Sequence, residues 1–86
     1  MSDVDTDKHR ERILESVADI LVEERESKGL SMTVVAERSG LSRAMISFIE
    51  NKRRNPTLDS LLRIADVLEV DIATVIRRAQ KRAERL

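Results

Sequence analysis

SMTVVAERSGLSRAMISFIEN, residues 31–51, is the stretch whose reading decides the fold. Ser31 and Ser42 each stand just before a short run with helical spacing of apolar residues. Both are the residue type whose side-chain oxygen can accept a free N–H at a helix start. Gly40 lies between the two runs and can take positive φ at little cost. Leu41 follows it and is expected to plug the angle between the helices. The spacing predicts one helix over Met32–Ser39 and a second over Arg43–Glu50. On a wheel of about 100° per residue, Ile46 and Ile49 of the second helix point one way, with Glu50 at their edge. Ala44, Ser47, Phe48 and Asn51 point the other way, and Arg43 sits on the flank at the helix start.

Short helix, tight glycine turn and short helix together make a helix-turn-helix. A helix whose outer side is small or polar can enter a major groove about 12 Å wide, with its N-terminal residues at the base edges. Outward from this unit the chain reads as helix throughout, with almost no strand signal. Residues 1–6 are expected to be a flexible tail and residues 7–86 a single domain. Thr6 or Asp7 is expected to cap the first helix. Ile13, Val17 and Ile20 share one face of it, and Ser27-Lys28-Gly29 ends it. Asn51-Lys52-Arg53-Arg54-Asn55-Pro56 reads as a basic loop. Thr57 caps a fourth helix whose inner side is Leu58, Leu61, Ile64, Ala65 and Leu68. Asp71 caps a fifth, running from Ile72 to about Arg85, with the stripe Ile72, Val75, Ile76, Ala79, Ala83 and Leu86. The fold class is therefore an all-α bundle of five helices with short connections.

Composition narrows the function. The 86 residues carry 16 basic and 16 acidic side chains, so net charge alone gives no reason to expect a nucleic-acid partner. The charges are unevenly placed. Residues 1–29 hold nine acids against five bases, whereas residues 30–57 hold two acids, Glu37 and Glu50, against five bases. With no cysteine and one histidine, His9, there is no disulfide, thiolate site or histidine metal site. At 1 % aromatic content, stacking platforms for single strands are nearly absent. No convergent nucleophile, base or phosphate-binding glycine loop is present, so neither an enzyme nor a cofactor is expected. No apolar run approaches the roughly 20 residues of a membrane span, and the acidic N-terminus is unlike a signal peptide. A soluble cytoplasmic protein is expected, with no room for a ligand-sensing domain.

Several motifs occur in order and at family spacing: Leu30-Ser31, Ala36 through Ser42, Ile46 through Asn51, Asn55-Pro56-Thr57-Leu58 and Leu61 through Ala65. In these the chain resembles the Cro/lambda-repressor (XRE) helix-turn-helix family over roughly Leu21 to Ile76. The resemblance implies the compact five-helix lambda-repressor-like fold, and in this chain the first and last helices are expected to extend beyond what the minimal family needs. It implies double-stranded DNA as partner, and residue roles with it. Arg25 and Glu50 match an ion pair tying the first helix to the recognition helix. Arg43 matches a base-contacting position, and Arg can donate two bonds to guanine. Ala44 and Ser47 are candidates to touch a thymine methyl or a base edge, or simply to permit close approach. Phe48 is a candidate to lie against thymine methyls, against a partner subunit or against the neighbouring loop. Ser31, Met32, Ser42, Asn51, Lys52, Arg53 and Arg54 are the candidate contacts to the DNA backbone. Met32 stands where the family often has Gln and cannot donate a hydrogen bond, so packing is its alternative. Lys52 and Glu69 stand where the family commonly has Gly, positions that call for left-handed backbone if the turns are kept.

One recognition helix reads few base pairs, so a homodimer on a palindromic operator, acting as a repressor, is expected. The apolar stripe of the fifth helix runs beyond where a small core should reach. Val75, Ala79, Ala83 and Leu86, with Val22 of the first helix, are therefore the candidate subunit contacts. A second reading on the same fold is a protein-interaction module, such as an antitoxin meeting a toxin, with DNA binding secondary.

Overall fold

The structure is a computed structural model and describes the backbone of residues 3–84 and the side chains of residues 7–84. Its helices are α1 (Asp3–Ser27), α2 (Met32–Ser39), α3 (Arg43–Glu50), α4 (Leu58–Leu68) and α5 (Ile72–Glu84), and no strand occurs among the described residues. The starts are set by local side chains. Ser31 Oγ accepts from the Val34 N–H at 3.1 Å, Ser42 Oγ from Met45 at 3.0 Å, and Thr57 Oγ1 from Ser60 at 3.1 Å. Asp71 Oδ1 accepts from the Ala73 N–H at 3.1 Å. Helix α1 starts at Asp3, ahead of the cap expected at Thr6 or Asp7, because no Gly or Pro in residues 3–6 stops the helix from extending.

Three helix ends share one device. The N–H groups of Leu30, Arg53 and Val70 reach back to the carbonyls of Arg25, Phe48 and Ala65, at 3.1, 2.9 and 3.0 Å. These are the long bonds of the Schellman motif, which needs a left-handed residue one position earlier. That residue is Gly29 at φ 67°, Lys52 at φ 62° and Glu69 at φ 56°. The latter two carry a side chain in a conformation that disfavours one by about 1–2 kcal/mol, so the motif's hydrogen bonds and the packing around it must offset that strain.

A single apolar cluster joins all five helices: Val17, Ile20 and Leu21 of α1, Val35 and Ala36 of α2, Ile46 and Ile49 of α3, Ile64 and Leu68 of α4, and Val75 and Ala79 of α5. Helix α5 lies along α1. The pairing is antiparallel: Arg78 Nη1 meets Glu24 at 2.9 Å, and Arg82, one turn further along α5, meets Glu23 at 2.7 Å. Hydrogen bonding from Arg82 holds the Glu23 carboxyl below its ordinary value, and Lys28 and Arg78 do the same to Glu24.

This packing corrects two expectations. Leu58, expected on the inner side of α4, is 65 % exposed: it is the first residue of the helix, and the core is met by Leu61, Ile64 and Leu68 further along. The second concerns α5. Val75, Ala79 and Ala83 are 0 %, 0 % and 2 % exposed, so they are closed inside the protomer and are not available to a second subunit. Their stripe outruns a minimal core because α1 is extended too, and the two extensions bury one another. The small Ala79 and Ala83 allow the helices to approach closely. Val22 is half-buried on α1 beside Asp19 and Lys52, and Leu86 lies outside the described residues.

Candidate nucleic-acid interface

The site is built on α2, the turn and α3. Gly40 takes φ 77°, and its N–H closes α2 on the Ala36 carbonyl at 3.0 Å. The buried Ser39 hydroxyl donates to the Ala36 carbonyl and accepts from the Leu41 N–H, both at 3.2 Å. Leu41 is half-buried and packs against the core. With the turn fixed, α3 seats Ile46 and Ile49, each 1 % exposed, against α1. Its far side is left to solvent: Arg43, Ala44 and Asn51 are exposed, and Ser47 is half-buried.

The end of α3 is pinned by Arg25. Its Nε donates to Glu50 Oε2 at 2.6 Å and its Nη2 to Glu50 Oε1 at 2.9 Å, while Nη1 donates to the Leu30 carbonyl at 2.8 Å. The two side chains are only 13 % and 10 % exposed. Bonding to Glu50 raises the Arg25 guanidinium above its ordinary value. One arginine thus joins α1, the following loop and the last residue of α3. A carboxylate at a helix C-terminus opposes the helix dipole, and the two-toothed bond to Arg25 offsets that.

The polar candidates around α3 have partners that spacing alone does not show. Asn51 Nδ2 donates to the Ser47 carbonyl at 2.9 Å and to its Oγ at 3.2 Å. Lys52 Nζ lies 2.9 Å from Asp19 Oδ1, so its charge faces α1. The Arg54 guanidinium carbon stands 5.2 Å from the centre of the Phe48 ring, a cation–π contact. Phe48 is half-buried and outside the apolar cluster, so of the three surroundings open to it in the sequence, the neighbouring loop is the one it meets within the protomer. Arg43 and Arg53 are exposed and make no ion pair among the described residues. Met32 is partly buried and packs on the core. Ser31 and Ser42 are exposed at the helix starts, next to N–H groups that lack intrahelical acceptors.

A helix-turn-helix family model, HTH_3, matches residues 21–75. The chain belongs to this family, of Cro/lambda-repressor type. The helix-turn-helix protein is 38 % identical over 56 residues to the HTH-type transcriptional regulator SutR of Escherichia coli (strain K12), which covers 65 % of this chain and 32 % of SutR. It is 34 % identical over 53 residues to the regulator SinR of Bacillus subtilis (strain 168), covering 60 % of this chain and 48 % of SinR. The matched segments thus span less than half the length of these two relatives. Among solved structures, the wild-type restriction-modification controller protein C.Esp1396I superposes with a TM-score of 0.76 at 31 % identity, over 86 % of this chain and 96 % of the controller. Helix-turn-helix proteins of this type are DNA-binding transcriptional regulators.

In this helix-turn-helix protein, Arg43, Ala44 and Ser47 lie together on the outer side of α3, with Phe48, Arg53 and Arg54 on its flank. Lys52 is turned away toward α1. Sequence reading missed Arg63 of α4, whose Nη1 donates to the Ser39 carbonyl at 3.1 Å. The one signal for it was the spacing to Asp59, which accepts from Arg63 Nε at 2.8 Å. No helix among the described residues is long and apolar enough to cross a membrane.

Proposed function

We propose that this chain is a sequence-specific regulator of transcription that binds double-stranded DNA and represses by occupying a palindromic operator as a homodimer. The observation that carries this reading is the outer side of α3. Arg43 and Ala44 open the helix directly after the turn, exposed, and Arg43 has no ion-pair partner among the described residues. An arginine there can donate to guanine O6 and N7, while small neighbours let the helix approach the bases. Arg53 and Arg54 stand beside it as backbone anchors, and acids gather instead on α1. Membership of a family of regulators supports the same reading, as does likeness to a restriction-modification controller.

For the homodimer, α5 is closed off and α4 offers the alternative. Leu58 and Leu62, one turn apart, are 65 % and 48 % exposed and are the large apolar side chains left most open among the described residues. The test is selection of bound sites from random duplexes, with light scattering at micromolar concentration. The expected consensus is two inverted half-sites about 34 Å apart, one turn of DNA, with affinity falling steeply as salt rises. The expected solution species is a dimer that Leu58→Ser with Leu62→Ser converts to a helical monomer. An asymmetric single site, or a monomeric wild type, contradicts the dimer; no consensus at all contradicts sequence reading.

A further inference from the structure

Arg63 stands on α4, outside the two helices of the motif, yet its guanidinium reaches the turn between them. Nη1 donates to the carbonyl of Ser39, the last residue of α2, at 3.1 Å. Nε donates to Asp59 Oδ2 at 2.8 Å, an exposed pair one helical turn apart that favours this direction of the side chain. The carbonyl of Ser39 is one of those a helix leaves without an internal partner, and a cation at that end is favoured by the helix dipole. The fit is close: a Cβ at Gly40 would stand 3.2 Å from Arg63 Nη1. Gly40 serves the turn by its φ of 77°, and a side chain there would also make the arginine shift slightly.

Two arginines from outside the motif bond to it, Arg25 at the end of α3 and Arg63 at the end of α2. Arg25 grips the C-terminal Glu50 of α3. The N-terminal end, which carries Arg43 and Ala44, follows the turn that begins just after the Ser39 carbonyl bound by Arg63. We infer that Arg63 is a positioning residue for recognition: bridging Asp59 and the Ser39 carbonyl, it fixes the direction in which α3 leaves the turn and so aims Arg43 and Ala44 at the bases. This rests on the DNA-reading role proposed above. Base contacts depend on placement within fractions of an ångström, whereas phosphate attraction does not. Losing the bridge should therefore affect specific binding far more than non-specific binding.

The experiment compares wild type with Arg63→Met, Arg63→Lys and Asp59→Asn. It measures affinity for the selected site and for an unrelated duplex at one salt concentration, with thermal melting alongside. Arg63→Met is expected to weaken the selected site about tenfold, the scale of one lost base contact, with the unrelated duplex changed far less. Arg63→Lys keeps a donor and should recover part of the loss. Asp59→Asn keeps the Arg63 charge but loosens its anchor, and should give a smaller loss on the selected site alone. Equal weakening on both duplexes makes Arg63 a phosphate contact and overturns the inference, as does an unchanged selected site. If Arg63→Met unfolds the chain, Asp59→Asn decides: an unchanged selected site overturns the inference. A wild type with no preferred site overturns the DNA-reading role, and the positioning role with it.

Discussion

Glu50→Ala is expected to lower the melting temperature more than any other single change at the site. It removes both acceptors of a bidentate bond and leaves the Arg25 guanidinium, 13 % exposed, with only the Leu30 carbonyl. Breaking a buried pair on one side typically costs about 3–5 kcal/mol, because the remaining charge is buried without compensation. For a domain of this size each kcal/mol moves the melt by about 4–8 °C, so a fall on the order of 20 °C is expected. Replacing both partners, Arg25→Met with Glu50→Met, removes the charges together and should restore much of that loss. Calorimetry of the three proteins checks it. A Glu50→Ala melt matching wild type would show that water already screens the pair.

Arg43→Ala is expected to have the largest effect on recognition. Arg43 is exposed and its fold makes no ion pair for it among the described residues, so its loss should leave the melt nearly unchanged. What it removes is a bidentate donor, worth about 1–3 kcal/mol of discrimination at one base. Binding to the selected operator should weaken by roughly 5- to 150-fold for each arginine lost. A second selection with the variant should lose preference at one position in each half-site and keep the others. Uniform weakening across all duplexes would assign Arg43 to the phosphates.

Much of this molecule is legible in its sequence because its helix boundaries are local chemistry. Ser31, Ser42 and Thr57 act within three residues of themselves. Gly40 announces its turn by type. Lys52 and Glu69 drew attention by standing where relatives of this fold carry Gly, and both take the left-handed conformation. What was not legible is pairing between distant elements. Periodicity says that Val75, Ala79 and Ala83 form an apolar stripe, but not whether another molecule or the same chain covers it. The answer lies in the length of α1, which runs alongside α5 and covers the stripe. Long polar side chains behaved in the same way. Lys52 follows the recognition helix in sequence, yet Asp19 draws it to α1. Asn51 sits on the outer side, yet its amide turns back to Ser47. The exposed face of α3 was readable because small and polar residues opposite two isoleucines leave little choice of orientation.

The most direct test of the account is an amide chemical-shift titration of the whole chain with its selected duplex. The largest changes should fall at Arg43, Ala44 and Ser47 and along the loop at Arg53 and Arg54, with the α1–α5 side quiet. Changes concentrated on α1 and α5, with α3 still, would place the DNA on the wrong face and contradict the role assigned to α3.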